Sequence, residues 1–197
     1  MTHYIFAPSA LAGYGEHEFT TLHEAFSADE IKQIIELGDS LPQTPAVVSG
    51  DQLIPDIRRS TVSWIEHTSE TQWIFDRLAY VVRSLNSHYY GFDLHGFCEA
   101  IQFTTYNEEI EGGYDWHLDC GVNTTSPRKM SLVVQLSDPA DYEGGDLEIL
   151  ATAKPVQVNK GLGLAAMFPS FRLHRVTPVT KGIRKSLVIW ITGPKFI

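Results

Sequence analysis

Between residues 97 and 192 the chain is a succession of short β-rich runs, most of them separated by a glycine or proline turn, and few folds accept that rhythm. Candidate strands fall at 97–106, 114–119, 130–137, 146–150, 163–168, 172–178 and 184–192. Turn signals stand at Glu111-Gly112-Gly113, Ser126-Pro127 and Gly144-Gly145-Asp146. Runs such as GIRKSLVIWITG alternate, so side chains of one parity share a face of the strand. This pattern predicts a mainly β fold with flanking α elements, a sandwich or jelly roll whose mouth is walled by inward-facing side chains from both sheets.

Upstream the period lengthens toward that of a helix. Ser27-Ala28-Asp29-Glu30 has capping-box spacing and the following IKQIIELGDSL predicts a helix over 28–38, ending at Gly38. Ser69-Glu70-Thr71-Gln72 repeats the box before WIFDRLAYVVRSLNSHYY, where Trp73, Phe75, Leu78, Val81, Val82 and Leu85 predict a longer amphipathic helix. Between them SLPQTPAVVSGDQLIP reads as a loop and DIRRSTVSWIEH as a strand. The expected organisation is one domain over 1–197, with 1–93 as helical support and lid and 94–197 as the β core. The 43% apolar and 11% aromatic content suffices for that core.

The net charge of −9 lowers the prospect of a nucleic-acid or anionic-membrane partner, because such binding requires neutralising phosphates with Lys and Arg. Basic residues do gather locally at Arg172, Arg175, Lys181, Arg184 and Lys185, and all but Arg184 read as solvated strand edges. Two cysteines, Cys98 and Cys120, are too few for a disulfide framework. With no leader-like segment and no apolar run near the ~20 residues of a membrane helix, a soluble, cytoplasmic protein is expected.

The polar residues that break the β pattern carry the chemistry. His117 and Asp119 in YDWHLDCG are spaced i, i+2, so on a strand both project the same way and grip one ion. His174 follows 57 positions later, enough chain for several strands to run out and return. Two imidazoles and one carboxylate are the set that holds non-haem Fe(II) on one side and leaves the remaining positions open. Ten residues beyond His174, Arg184-x-Ser186 sets a guanidinium fork and a hydroxyl on one face, a pairing suited to a carboxylate.

The runs HLD, SLVVQLSDPADYEGGDLEIL and AAMFPSFRLHRVTPVTKGIRKSLVIWI occur in that order over roughly residues 95–193. Together they resemble the Fe(II)/2-oxoglutarate-dependent oxygenase superfamily and, within it, the prolyl 4-hydroxylase-like, PKHD-type hydroxylases. The resemblance implies a double-stranded β-helix (jelly roll, cupin-like) supported by N-terminal helices. It implies Fe(II), with 2-oxoglutarate and O2 as cosubstrates and ascorbate as an auxiliary, and His117, Asp119 and His174 as metal ligands. The implied reaction hydroxylates a C–H bond of a prolyl residue, a peptide or a free amino or imino acid, with release of succinate and CO2.

The same resemblance extends to residues around the site. Tyr106, in QFTTYNEEIEGGYDWHLD, occupies a position where relatives have a tyrosine near metal and 2-oxoglutarate, the alternative being a core aromatic. Gln135 stands where some relatives have a tyrosine that contacts 2-oxoglutarate. Gln102 and Thr104 share the strand face of Tyr106, and Trp190 shares that of Arg184, so all three are candidates to border the substrate. Arg58 and Arg59 are candidates for a substrate carboxylate or phosphate, or for edge-strand charge. NEEIEGGY reads as a flap at the entrance. Alternatives are a cupin-like metal-binding protein or isomerase without 2-oxoglutarate turnover, a non-catalytic relative, and an oxygenase acting on another small molecule or a nucleobase. Oligomeric state and substrate stay open, because specificity resides in loops around the mouth.

Overall fold

The structure, a computed structural model, describes residues 17–46, 54, 56–121, 125, 127–151 and 153–194. Helix α1 (Ala28–Ser40) starts at Ser27, whose hydroxyl accepts from the Glu30 backbone N–H at 3.3 Å while the Glu30 carboxylate accepts from the Ser27 N–H at 2.8 Å. This reciprocal box satisfies two donors the helix would otherwise leave open and contributes about 1 kcal/mol. Glu30 also pairs with Arg77 of α2 (Gln72–Leu85) at 2.8 Å, tying the helices together. The expected second capping box does not form. Thr71 sends its hydroxyl back to the Glu66 carbonyl at 2.6 Å, fixing the preceding turn instead. Nor does α1 stop at Gly38. That glycine lies in the last turn against the Phe103 ring, where any Cβ would overlap it, and its carbonyl accepts from Ser63 at 2.8 Å.

Fourteen short and long strands are described, all paired antiparallel. They are β1 (Thr20–Leu22), β2 (Thr44–Pro45), β3 (Arg58–Arg59), β4 (Thr61–Ile65), β5 (Gly96–Phe97), β6 (Ile101–Asn107), β7 (Gly113–His117), β8 (Arg128–Gln135), β9 (Tyr142–Gly144), β10 (Leu147–Leu150), β11 (Pro155–Gln157), β12 (Ala165–Pro169), β13 (His174–Val176) and β14 (Val179–Thr192). The large sheet runs β1-β12-β8-β14-β6-β4-β2, with β5 and β9 also on β14; the small sheet runs β11-β10-β13-β7-β3. This is the expected jelly roll. Most of the expected strands are present with shifted ends, and the expected 184–192 strand begins five residues earlier. The loop expected over 40–55 lies partly outside the described residues, and its Thr44–Pro45 segment pairs with β4.

Alternation sorts the large sheet into two faces. Ile101, Phe103, Leu132, Val134, Ala165, Met167, Leu187, Ile189 and Ile191 meet Ile31 and Ile34 of α1 and Ile74, Phe75, Leu78 and Val82 of α2 in one apolar core. Each fully buried aliphatic side chain there contributes about 1.5–3 kcal/mol. The opposite parity faces the small sheet, where Tyr106, Val133, Ala166, Phe168, Leu147, Ile149, Val176 and Val179 form a second cluster. The helices therefore hold the large sheet from outside and leave its inner face to the site. No helix among the described residues is long and apolar enough to cross a membrane.

Candidate metal centre

His117 ends β7 and His174 begins β13, and the two are direct partners across the antiparallel ladder. Their ring centroids stand 4.1 Å apart. Each Nδ1–H donates to a backbone carbonyl two residues upstream: His117 to Asp115 at 2.7 Å, His174 to Arg172 at 2.8 Å. These bonds fix one tautomer, leaving both Nε2 lone pairs to point at a common centre. Asp119 completes the set, with Oδ1 3.7 Å from Nε2 of His117 and Oδ2 3.5 Å from Nε2 of His174. One ligand atom from each of the three lies within 4.8 Å of the others.

The i, i+2 geometry arises differently from the strand expected over 114–119. β7 stops at His117, and Asp119 lies in the following turn, where its N–H and that of Cys120 both donate to the Ser170 carbonyl at 3.0 and 3.2 Å. Ser131 Oγ donates to Asp119 Oδ2 at 2.6 Å, and the Ser170 hydroxyl lies 3.0 Å from that of Ser131. Tyr114 stacks on His117 with centroids 3.4 Å apart and planes 12° from parallel, and the Arg58 guanidinium lies 4.6 Å over the outer face of Tyr114.

Burial, reinforced by the adjacent His174 ring, lowers the His117 pKa to about 3, so the imidazole is neutral and ready to ligate. Burial pushes the Asp119 carboxyl up, yet the two imidazoles and the hydrogen bond from Ser131 prevail and hold it below the usual carboxylate range. Two imidazoles with fixed tautomers and one carboxylate held ionised, all on one side of a cavity, fit Fe(II).

The cavity, about 490 Å³, continues from this centre to Arg184. Arg184 is 2% exposed, and no acidic side chain pairs with it among the described residues. It faces Tyr106 across the β14–β6 ladder, its guanidinium 5.2 Å over the Tyr106 ring, and reaches Ser186 Oγ at 3.4 Å. Ser186 in turn faces Gln135 on β8. A buried guanidinium without an anion costs several kcal/mol unless a ligand supplies one.

The remaining candidates separate. Arg58, Gln102 and Trp190 line the cavity. Thr104, wholly buried on the same face, accepts from the Gln102 amide at 2.8 Å but does not itself line the cavity. Arg59 turns to the far side of β3, donating to the carbonyls of Ile110 and Glu111 at 2.9 and 3.1 Å. Those bonds brace the NEEIEGGY segment, which is a one-turn 3-10 helix (Glu108–Ile110) leading into β7. Gln135 lines a smaller adjoining cavity of about 20 Å³ that shares Arg184, Val133 and Leu147 with the first.

Sequence reasoning missed Trp64, Tyr114, Arg128, Ser131 and Tyr142. Trp64, 42% exposed, leans toward Trp190 with centroids 6.4 Å apart. Arg128 stacks 3.5 Å over the Trp190 ring, pairs with Glu99 and donates to the Asp119 carbonyl at 3.3 Å. The Trp190 indole N–H has no hydrogen-bond partner among the described residues and lies close enough to Asp119 to help hold its carboxyl ionised. Only the DIRRSTVSWIEH alternation, which puts Trp64 and Val62 on one face, carried a signal for any of these.

Comparison with known proteins agrees with the geometry. Residues 101–192 match the 2OG-Fe(II) oxygenase superfamily. A PKHD-type hydroxylase of Synechococcus sp. (strain CC9311) is 38% identical over 99 residues, 49% of this chain and 45% of that protein. One from Shewanella frigidimarina (strain NCIMB 400) is 37% identical over 95 residues, 45% of this chain and 41% of that protein. The chain thus matches less than half the length of these curated relatives. Among solved structures, a Trichoplax adhaerens prolyl hydroxylase in complex with a hypoxia inducible factor peptide fragment superposes with TM-score 0.76 at 16% identity, over 90% of this chain and 84% of that one. A Pseudomonas putida prolyl-4-hydroxylase gives 0.70 at 20% identity, over 91% and 94%. These two likenesses establish the jelly-roll fold.

Proposed function

We propose that the chain, whose residues 101–192 match the 2OG-Fe(II) oxygenase superfamily and whose relatives include PKHD-type hydroxylases, is a 2-oxoglutarate-dependent dioxygenase that hydroxylates a C–H bond. The observation that carries this reading is Arg184, a buried guanidinium with no acidic partner in the cavity that also holds the His117, Asp119 and His174 donors. A metal site alone, as in a cupin-like isomerase, requires no such cation.

When bound, Fe(II) and 2-oxoglutarate supply the oxidation: dioxygen is consumed, 2-oxoglutarate leaves as succinate and CO2, and the substrate gains a hydroxyl. The protein's part is positioning. His117, Asp119 and His174 would hold the metal through three ligand atoms that lie within 4.8 Å of one another. The Nδ1–H bonds to Asp115 and Arg172 and the Tyr114 stack keep both rings from turning. Arg184 and Ser186 take the distal carboxylate of 2-oxoglutarate, with Tyr106 and Gln135 beside it, so one end of the cosubstrate is fixed by charge-assisted hydrogen bonds. Val133, Leu147, Val176 and Val188 wall the space between and exclude water.

Substrate enters along Trp64, Trp190, Gln102 and Arg58. Aromatic faces with an arginine at the rim suit a compact ring or aliphatic residue bearing a carboxylate or peptide carbonyl. In this reading the substrate is a prolyl residue in a peptide, or a free amino or imino acid. The helices and β2–β4 act with the β core as one domain, since Thr44, Pro45, Arg58, Val62 and Trp64 complete the wall.

The test is anaerobic titration of the purified protein with Fe(II) and 2-oxoglutarate, watched for the weak visible charge-transfer band. Oxygen is then admitted, succinate is assayed, and proline-containing peptides and free amino acids are screened for product. A band with slow succinate formation supports the reading. Bound metal without a band, and no succinate, defeats it.

A further inference from the structure

We propose that Tyr142 binds the cosubstrate: its phenol donates the hydrogen bond that accompanies Arg184 on the distal carboxylate of 2-oxoglutarate, and Gln135 orients that phenol rather than touching the ligand. The inference rests on the 2-oxoglutarate reading above.

Counting donors and acceptors leads there. Tyr142 begins β9, is 4% exposed, and faces Gly182 of β14, two residues before Arg184. Its hydroxyl oxygen accepts from Gln135 Nε2 at 2.6 Å and lies within hydrogen-bonding reach of the Arg184 guanidinium. Both neighbours are donors, so neither can take the phenolic proton, and no described residue accepts it. Gln135 has its amide hydrogens committed to Tyr142 and, at 3.5 Å, to the Ser137 carbonyl. What remains on Gln135 is a carbonyl oxygen, which repels a carboxylate. The free donor beside Arg184 is therefore the Tyr142 O–H. Burial raises the phenol above its ordinary pKa, so it stays protonated at neutral pH and able to donate.

The surrounding chain is shaped to bring the two groups together. At Gly145 (φ +62°) a Cβ would sit 2.8 Å from Arg184 Cδ and 3.3 Å from Tyr142 Cε2, so only glycine lets both approach the turn. Lys160 lies 4.6 Å over the Tyr142 ring, its charge taken up by Asp146 at 2.8 Å and the Gly144 carbonyl at 2.6 Å. It braces the ring while Arg184 remains the uncompensated cation.

The experiment compares wild type, Y142F and Q135Y/Y142F, each loaded with Mn(II), by calorimetric titration with 2-oxoglutarate and with 2-oxopentanoate, which has a methyl group in place of the distal carboxylate. Y142F is expected to bind Mn(II) as wild type does, to bind 2-oxoglutarate about 10- to 100-fold more weakly, and to bind 2-oxopentanoate unchanged. Q135Y/Y142F, which returns a phenol from the β8 side, is expected to recover most of the loss. Unchanged 2-oxoglutarate affinity in Y142F, or equal losses for both ligands, would overturn the role of Tyr142 while leaving the oxygenase reading intact. Failure of the wild type to bind 2-oxoglutarate would overturn both.

Discussion

The Ser131 hydroxyl donates to Oδ2 of Asp119 at 2.6 Å, so the carboxylate that would ligate the metal is held by a residue of β8, in the opposite sheet. Ser131→Ala removes that donor and frees the carboxylate to rotate. Metal affinity should fall about 10- to 100-fold, measured by competition with a chelator, while cosubstrate affinity at saturating metal stays near wild type. A variant that binds metal as tightly as wild type would show that the turn through Ser170 suffices to fix Asp119.

His174→Ala leaves only His117 and Asp119, too few donors to hold a divalent ion against water. Metal affinity should fall by more than the roughly 100-fold expected for loss of an outer hydrogen bond, and metal-dependent succinate formation should vanish. Retained turnover would require another ligand and would displace His174 from the set.

Arg184→Ala separates the two halves of the cavity. Metal binding should persist, whereas 2-oxoglutarate affinity should drop about 100-fold or more, because a charge-assisted pair is lost. Unchanged affinity in a calorimetric titration would mean that some other cation takes the distal carboxylate.

Stability of the metal-free protein should depend on pH through His117. Its folded pKa of about 3 lies below the ordinary 6.5, so on acidification the unfolded chain takes up a proton that the fold refuses. The stabilisation is full above 6.5 and is lost as pH falls toward 3, with a slope of ~1.4 kcal/mol per pH unit for one proton. In urea titrations at pH 6.5, 5.5 and 4.5, His117→Gln should show a slope shallower by that one proton. Equal slopes would place the titrating group elsewhere.

Gly145→Ala should act on both fold and site. Alanine at φ +62° costs about 1–2 kcal/mol in backbone strain, and its methyl group presses on Arg184 and Val179. A lower melting temperature together with weakened 2-oxoglutarate binding, and metal affinity retained, is the expected pattern. A loss of stability without a change in cosubstrate affinity would confine the glycine's role to the turn.

Much of this architecture was legible because alternation records burial directly. Leu187, Ile189 and Ile191 against Ser186, Val188 and Trp190 already separate a helix-facing side from a cavity side, and His117-x-Asp119 with Arg184-x-Ser186 stand out as polar pairs within apolar runs. Tyr142, Arg128 and Trp64 were not legible as site residues. Their roles depend on partners distant in sequence: Tyr142 on Arg184, Arg128 on Glu99 and Trp190, Trp64 on Trp190. Gly38 misled for a related reason. A glycine in a helix reads as a stop when the aromatic ring that requires it lies 65 positions away in Phe103. Ser69-Glu70-Thr71-Gln72 likewise has the spacing of a capping box, but the helix starts after Thr71, whose hydroxyl is claimed by the Glu66 carbonyl.

β14 pairs with β5, β6, β8 and β9 and presents Arg184 and Ser186 inward while Leu187, Ile189 and Ile191 face the helices. For this segment the number of residues matters more than their individual identities. Aliphatic exchanges on the outer side preserve the layout, but deleting one residue between Ser186 and Ile191 would reverse the parity of everything on one side of the cut. Either the apolar residues would face the cavity, or the guanidinium would be driven among the helices. A library of indels along the chain should therefore find this strand far less forgiving than a library of substitutions would suggest.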